Sequence, residues 1–520
     1  MGVMPAGKSV RLAELLAALS LGSDLGMGLP MEHVLRQCLI SMRLASRLGL
    51  DSDDRSIVYY TALLAWVGCH VDAYEQAKWF GDDLALKADY RDVDFANALT
   101  TGRFMMEHFG AGLPLGDRAK LGVELLRAGW PRRRAALERH CYAANELAGR
   151  LGLEERVRRS VVQTFERWDG KGAPAGAKGD QILTTARIVN LADVVEVFHR
   201  IGGTEAAISV ARDRSGTQFD PAIVDVFCPA ASDVFAELDA VTTWGAVIAE
   251  EPGLGAWLSG SEFDTALEAI ADFVDVKSPY TIGHSRGVAE LAAAAARGHG
   301  LPAEDITLVR RAGLVHDLGR LGVSNAVWDK PGTLTAAEFE RVRLHPYLSG
   351  RILALSDNLA PLSALAIEHH ERLDGSGYPR GLTGNAINLP SRILAVADAY
   401  RTRVEPRPHR PACAVDEVAV QLRAEARAGR LDGGAVEAVL CAAGQRVTRQ
   451  PQLPAGLTPR EVEVLKLMAI GLKDSEIAEQ LVISRKTARH HVEHIYTKIG
   501  VSNRALAGLF AARHGLIGDF

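Results

Sequence analysis

Seven residues in the second half of the chain could do chemistry together: His284, the pair His316-Asp317, His345, the pair His369-His370, and Asp398. Imidazole nitrogen mixed with carboxylate oxygen suits Mn, Fe, Co, Ni or Zn better than Mg or Ca. The intervals between these residues are long, so the donors must come from separate helices converging on a bundle interior. A lone histidine is ordinarily a surface or hydrogen-bonded core residue. Adjacent histidines, a His-Asp dipeptide and three further donors in one stretch read instead as a ligand set.

The elements that must position this set are helices. VAELAAAAARG at 288–298 and DEVAVQLRAEARAG at 416–429 have helical periodicity, period-two alternation is scarce, and the expected fold class is all-α. The chain also repeats itself. FERWDGKGAP at 165–174 lies over HERLDGSGYP at 370–379 at an offset of 205, a register that also pairs His140 with His345, Arg187 with Arg392 and Asp193 with Asp398. Upstream, His33 meets His284 and Ala65-Trp66 meets His316-Asp317 at an offset of 251, so the first copy carries 46 extra residues.

A length of 520 residues suggests about three or four domains. Hydrophobic content of 48% and charged content of 24% are those of a soluble globular chain, and the six scattered cysteines form no CxxC pair, which favours a reducing cytoplasm. The first residues lack a signal-peptide core, and no apolar run reaches the roughly 18 residues of a membrane span. Net charge is −5; the small basic excess from Pro454 onward, nine Lys and Arg against seven Asp and Glu, would not by itself argue for nucleic acid.

VHDLGR, DKPGTLTAAEFERVRLHP, HHERLDGSGYPRGLTG and LPSRILAVADAY, within about 265–445, resemble the HD-GYP family of metal-dependent phosphohydrolases, a branch of the HD superfamily. The resemblance implies that Asp317 bridges two divalent transition-metal ions, Fe or Mn, with His284, His316 and Asp398 on one and His345, His369 and His370 on the other. Two ions roughly 3.5–4 Å apart hold a bridging hydroxide near neutral pH and stabilise both the attacking and leaving oxygens of a phosphodiester. It further implies that Gly377, Tyr378 and Pro379 shape a mouth for cyclic di-GMP or a related nucleotide, and that Arg407 and Arg410 take its phosphate.

Several positions depart from the family pattern. Arg320 replaces the lysine of the usual HDLGK or HDIGK; if that lysine donates a proton to the leaving alkoxide, an arginine that stays protonated is a poor substitute, although it still stabilises charge. Gly287 stands where an arginine is usual, Tyr280 where some members have a glutamate for a third metal, and Arg401-Thr402-Arg403 where a second aspartate is usual. The RPHR run has His409 in place of tyrosine. In the first copy His33, His140 and Asp193 occupy ligand positions, but Ala65-Trp66 and Thr164-Phe165 replace the His-Asp and His-His pairs. Without the bridging carboxylate these three survivors read as structural residues. Cys69, His70 and Asp72 read as a solvated helix start rather than another metal site.

Residues 457–517 form a compact unit of about four helices, with a short helix at about 475–482 and a second at about 485–499 capped by Ser484. Ala488, Val492, Ile495 and Ile499 make an apolar stripe on the second, and Lys486, Arg489, His490 and Glu493 face the other way, the division required of a helix that packs on one side and reads a groove with the other. LTPRE, EIAEQL, SRKT and VSNRA resemble the LuxR-type helix-turn-helix domain. That implies contacts to double-stranded DNA from Arg485, Lys486, Thr487, Arg489 and His490, and dimerisation through a last helix at about 502–514.

The expected organisation is a degenerate HD-GYP-like domain at 1–249, a linker at 250–262, a metal-binding HD-GYP domain at 263–446, a linker at 447–456 and a DNA-binding domain at 457–520. The leading expectation is a cytoplasmic, homodimeric regulator whose second copy hydrolyses cyclic di-GMP to linear dinucleotide and GMP, with Asp317 and Arg320 as catalytic residues, and which binds an operator. The alternatives are a metal- and nucleotide-binding sensor without turnover, and a phosphohydrolase of another nucleotide.

Overall fold

The structure is a computed structural model that describes residues 9–89, 93, 98–111, 114–128, 133–238, 242–253, 255–445, 454–514 and 516. The chain divides into two compact units, Met1–Gln445 and Arg446–Phe520. Among the described residues, helices make up nearly all regular structure, the exception being an antiparallel ribbon of Ser9–Arg11 with Trp257–Ser259. No helix among them is long and apolar enough to cross a membrane. The stretch expected as a linker at 250–262 supplies one strand of that ribbon and, through Glu251, a buried partner for Arg11. Most of the second expected linker, 447–453, lies outside the described residues.

Both copies lie in the first unit, and their backbones repeat as the sequence does. His33–Arg47 and His284–His299 each begin after a residue in the left-handed region, Glu32 (φ 82°) and Gly283 (φ 77°). A Cβ on Gly68 would lie 2.3 Å from the His140 carbonyl oxygen, and one on Gly319 would lie 2.1 Å from that of His345, so each copy needs glycine where the turn crosses the next helix. Arg187 donates to the Ile182 carbonyl and the Asp220 carboxylate, as Arg392 does to Ile387 and Asp432.

In the second copy, the alanine-rich helix His284–His299 has high helix propensity and a small-residue face. That face lets Ala303–Val315 approach closely: a Cβ on Gly313 would lie 2.7 Å from Ala289 Cα. Leu389–Val404 starts where the Asn388 side chain accepts from the Ser391 amide, and its buried face, Ile393, Leu394, Val396, Ala397 and Ala399, carries Asp398 inward.

The first copy buttresses the second. Leu12–Gly26 lies on the turn after Asp317, with a Cβ on Gly22 only 3.1 Å from Leu321 Cδ1. Asp83, from the 46-residue excess, is fully buried and accepts from Ser324 Oγ and the Asn325 amide, both at 2.7 Å, with Lys87 Nζ at 3.3 Å and Lys277 Nζ at 3.6 Å. His70, expected at a solvated helix start, is 2% exposed and donates to the Phe273 carbonyl at 2.8 Å.

Burial alone would raise the Asp83 carboxyl, but Lys277, Lys87 and the donors of Ser324 and Asn325 outweigh it and hold its pKa at about 2. Because the folded value lies below the ordinary 3.8, its contribution to stability is complete above that pH and is lost as pH falls towards 2. Asp83→Ala leaves two buried ammonium groups without their carboxylate and is expected to cost about 3–5 kcal/mol. Urea unfolding at pH 7 and pH 3 checks this: the difference between variant and wild type narrows at the lower pH, and identical curves would contradict the role given to Asp83.

Among its described residues, the second unit has four α-helices, Pro459–Ala469, Asp474–Gln480, Arg485–Ile499 and Arg504–Arg513. Thr458 and Glu461 form a capping box at the first, and Ser484 accepts from the Thr487 amide at the third. Leu465, Met468, Ile477, Ala488, Ile495, Ala507 and Ala511 make the core.

Candidate metal centre and DNA-reading helix

The seven expected donors converge. His284 is the first residue of its helix, His316-Asp317 ends Ala303–Val315, His345 opens His345–Leu353, His369-His370 follows Ala360–Ala366, and Asp398 lies on Leu389–Val404. All are buried except His370, which is half-buried. Ligand atoms of His284, His316 and Asp398 lie within 4.8 Å of one another, as do those of His345, His369 and His370. Asp317 sits between the groups: its Oδ1 is 3.3 Å from His345 Nε2 and 3.7 Å from His369 Nε2, and its Oδ2 is 3.6 Å from His316 Nε2 and 3.8 Å from His284 Nε2.

The imidazoles are aimed. The Nδ1 atoms of His316, His345 and His369 donate to the carbonyls of Gly313, Val342 and Ala366, which fixes the proton there and leaves each Nε2 lone pair facing the cluster. His316 Nε2 is buried without a hydrogen-bond partner, an open acceptor beside two carboxylates. A buried atom of that kind is costly unless an ion takes it, and the donor set fits a divalent transition metal. Burial first, then His316 and His345, pushes His369 down to about 3, and burial with His369 pushes His370 well down. Although burial opposes ionisation, His316, Arg320 and His345 hold Asp317 well below the carboxylate range, as His284 and His370 hold Asp398. Burial also opposes charge on His284, but Asp398 and Glu405 raise it to about 9.

The cluster lies at the floor of a cleft of about 890 Å³, large enough for a dinucleotide. Arg320 donates to Asp317 Oδ2 at 3.0 Å, with its guanidinium 4.0 Å from the Trp328 ring centroid. Gly377 belongs at its turn because a Cβ there would lie 2.3 Å from the Arg372 amide nitrogen. The neighbouring Tyr378 ring is 4.8 Å from that of His370, and Pro379 follows it on the turn. Arg407 lines the cleft, donating to the Tyr280 carbonyl at 3.0 Å and to Glu405 at 3.1 Å. Arg410 also lines it, but its guanidinium braces the loop, donating to the Arg403 and Pro411 carbonyls at 3.0 and 3.1 Å.

Two features escaped the sequence reading. Glu371 accepts from the Arg380 and Leu382 amides and closes the Gly-Tyr-Pro turn, and Glu405 contacts His284 Nδ1 at 2.7 Å. The repeated Glu166 at the offset of 205, which accepts from Ala175 and Gly176, was a signal for the first. Nothing local marks the second, because its partner is 121 residues away.

In the first copy, aromatic rings stand where the second has ligands. Trp66 Nε1 donates to Asp193 at 2.8 Å, His33 Nε2 lies 3.0 Å from the same oxygen, and His140 donates to the Ala65 carbonyl at 3.0 Å. Phe165 packs edge-on against Trp66 and His140, with centroids 5.0 and 4.6 Å apart.

On Arg485–Ile499 the apolar stripe faces inward: Ala488 and Ile495 are fully buried and Val492 is nearly so. Arg485, Lys486, Thr487, Arg489 and His490 are all exposed; Arg489 pairs with Glu493 at 3.1 Å, and the Thr487 hydroxyl shares a hydrogen bond with Ser484.

Comparison with known proteins agrees with this geometry. The HD domain family matches residues 130–223 and 268–434, and the luxR family of bacterial regulatory proteins matches 455–511. The chain is 32% identical over 410 residues to 3'3'-cGAMP-specific phosphodiesterase 3 of Vibrio cholerae, covering 78% of this chain and 89% of that protein. It is 34% identical over 177 residues to the cyclic di-GMP phosphodiesterase response regulator RpfG of Xanthomonas campestris, covering 34% and 46% of the two chains. A crystal structure of a cyclic GMP-AMP specific phosphodiesterase from V. cholerae superimposes with a TM-score of 0.59 at 27% identity, over 86% of this chain and all of that one. The chain therefore belongs to the HD-GYP phosphodiesterases of the HD-domain family, which are metal-dependent phosphohydrolases, and carries a LuxR-type DNA-binding domain at its C-terminal end.

Metal should reside in the second copy alone. Stripped of ions and reloaded with Mn²⁺, the His316→Ala protein is expected to lose bound metal by elemental analysis, whereas His33→Ala retains the wild-type content. Equal losses in both variants would contradict the assignment.

Proposed function

We propose that the second copy hydrolyses a cyclic dinucleotide, cyclic di-GMP or the mixed guanine-adenine dinucleotide, and that its occupancy governs DNA binding by the LuxR-type domain. The observation that carries this reading is the pair of three-ligand groups sharing Asp317 at the floor of a dinucleotide-sized cleft. His284, His316 and Asp398 would hold one ion and His345, His369 and His370 the other; the mixed imidazole and carboxylate donors suit a divalent transition metal, and the HD-GYP resemblance points to Fe or Mn. The ions would supply Lewis acidity and activation of water at neutral pH.

The chain's own residues do the rest. Asp317 and Asp398 carry the negative charge that holds two dications in a buried site. Arg320, fixed on Asp317 and on the Trp328 face, keeps a permanent positive charge beside the reacting phosphate and stabilises charge on the departing oxygen, without acting as a proton donor. Gly377 and Tyr378 line the mouth of the cleft, with Pro379 supporting their turn, and Arg407 meets a phosphate there once it leaves Glu405. Arg410 supports that loop.

We assign boundaries near residues 250–262 and 447–456 to the degenerate copy, the catalytic copy and the DNA-binding domain. The helix Arg485–Ile499 enters the major groove of an operator with Lys486, Arg489 and His490 outward and Arg485 and Thr487 at its start. A homodimer through Arg504–Arg513 would set the spacing of two half-sites. A second reading, a nucleotide sensor without turnover, is favoured by Arg320 in place of a titratable lysine and by Arg407 being already engaged.

Separating linear dinucleotide and GMP after incubation of Mn-loaded protein with either cyclic dinucleotide decides between these readings. Metal-dependent turnover that Asp317→Ala abolishes is expected; saturable binding without product would establish the sensor. In DNA binding, Lys486→Ala is expected to weaken affinity evenly across sequences and reduce the salt slope by about one. An unchanged slope would remove Lys486 from the phosphate contacts.

A further inference from the structure

Three of the five histidines in the cluster share one orientation; His370 turns its Nδ1 towards Asp398 at 3.8 Å, and His284 is held in a third way. His316, His345 and His369 each give their Nδ1 proton to a backbone carbonyl three residues earlier. His284 opens its helix, and the corresponding carbonyl, that of Thr281, already accepts from the His284 backbone amide at 2.9 Å. A carboxylate takes its place: Glu405 Oε2 lies 2.7 Å from His284 Nδ1.

Glu405 is itself held. It follows the helix Leu389–Val404, so the element that presents Asp398 to the cluster also presents, two turns later, the group that turns His284 towards it. Arg401 Nη2 is 2.8 Å from Glu405 Oε1, and Arg407 Nη2 is 3.1 Å from Oε2. The Arg401 guanidinium lies over Gly287, where a Cβ would be 2.5 Å from its Nε. Two departures from the HD-GYP pattern, glycine at 287 and arginine at 401, thus meet in space: the missing side chain makes room for the guanidinium that clamps Glu405.

We propose that Glu405 is a positioning residue for the metal site of His284, His316 and Asp398, and that Gly287 and Arg401 exist in this chain to hold it. Resting on the metal reading above, the role is to keep the proton on His284 Nδ1, point the Nε2 lone pair at the ion and add negative charge behind it. A carboxylate behind a ligating imidazole strengthens the ligand, and its loss typically weakens metal affinity about 10–100-fold. The other ion, held by His345 and His369, which lean on neutral carbonyls, and by His370, does not depend on Glu405.

Mn²⁺ titration of the chelator-stripped full chain, with free ion followed by electron paramagnetic resonance, tests this. Wild type is expected to bind two ions. Glu405→Ala weakens one of them by about 10–100-fold and leaves the other unchanged. Glu405→Gln, which still accepts from Nδ1 but carries no charge, falls between, and His345→Ala impairs the opposite ion. Thermal unfolding without metal separates positioning from folding: the Gln variant keeps the wild-type midpoint. Unchanged affinity in both Glu405 variants, or equal weakening of both ions, would overturn the inference alone. A wild-type chain that takes up no Mn²⁺ would overturn the metal reading and this inference with it.

Discussion

Five imidazoles and two carboxylates packed into one helical interior form an arrangement that charge and solvation both resist. Burial penalises each ionised group, and water is excluded from most of the lone pairs that face inward. The arrangement holds because Asp317 stands between the two groups of ligands, within 4 Å of ring nitrogens on both sides, and because most of the rings spend their other nitrogen on a fixed acceptor. Much else in the second copy follows from this. Glycine is required at 313 and 319 so that helices approach closely enough, and the turn bearing Asp317 is pressed from behind by Leu12–Gly26.

The first copy shows what the same backbone does without that carboxylate. Trp66, at the position of Asp317, gives its indole N–H to Asp193, and its ring packs with Phe165. The centre becomes an aromatic core in which Trp66 Nε1, His33 Nε2 and His140 Nε2 find protein partners while His140 Nδ1 is buried without one, and no three-ligand group occurs there among the described residues. What this copy retains is a mechanical role: its Asp83 anchors the start of the short helix bearing Trp328, the ring on which Arg320 rests.

The convergence of the seven ligand-position residues, the duplication and the two-faced helix Arg485–Ile499 were legible because their signals are local or periodic: dipeptides, a repeated offset, an apolar stripe, a serine cap. The packing of the two copies on one another was not. The segment at 250–262 has the Gly, Pro and Ser content of a linker, yet its backbone donors and acceptors pair with Ser9–Arg11, a partner set by tertiary structure. Glu405 escaped for the same reason, and Arg410, whose type suits phosphate, turns its guanidinium into carbonyls of its own loop because those acceptors are nearer. Gly287 and Arg401 looked like separate departures in sequence and became one only when the helices were seen to cross.

The central claim is that two ions share Asp317 in the second copy and none enters the first. Anomalous diffraction from crystals of Mn-loaded protein, collected at the metal edge, addresses it most directly. The account expects two peaks, one on each side of the Asp317 carboxylate, and no peak near Trp66. A single peak beside Asp317, or any peak among His33, His140 and Asp193, would contradict it.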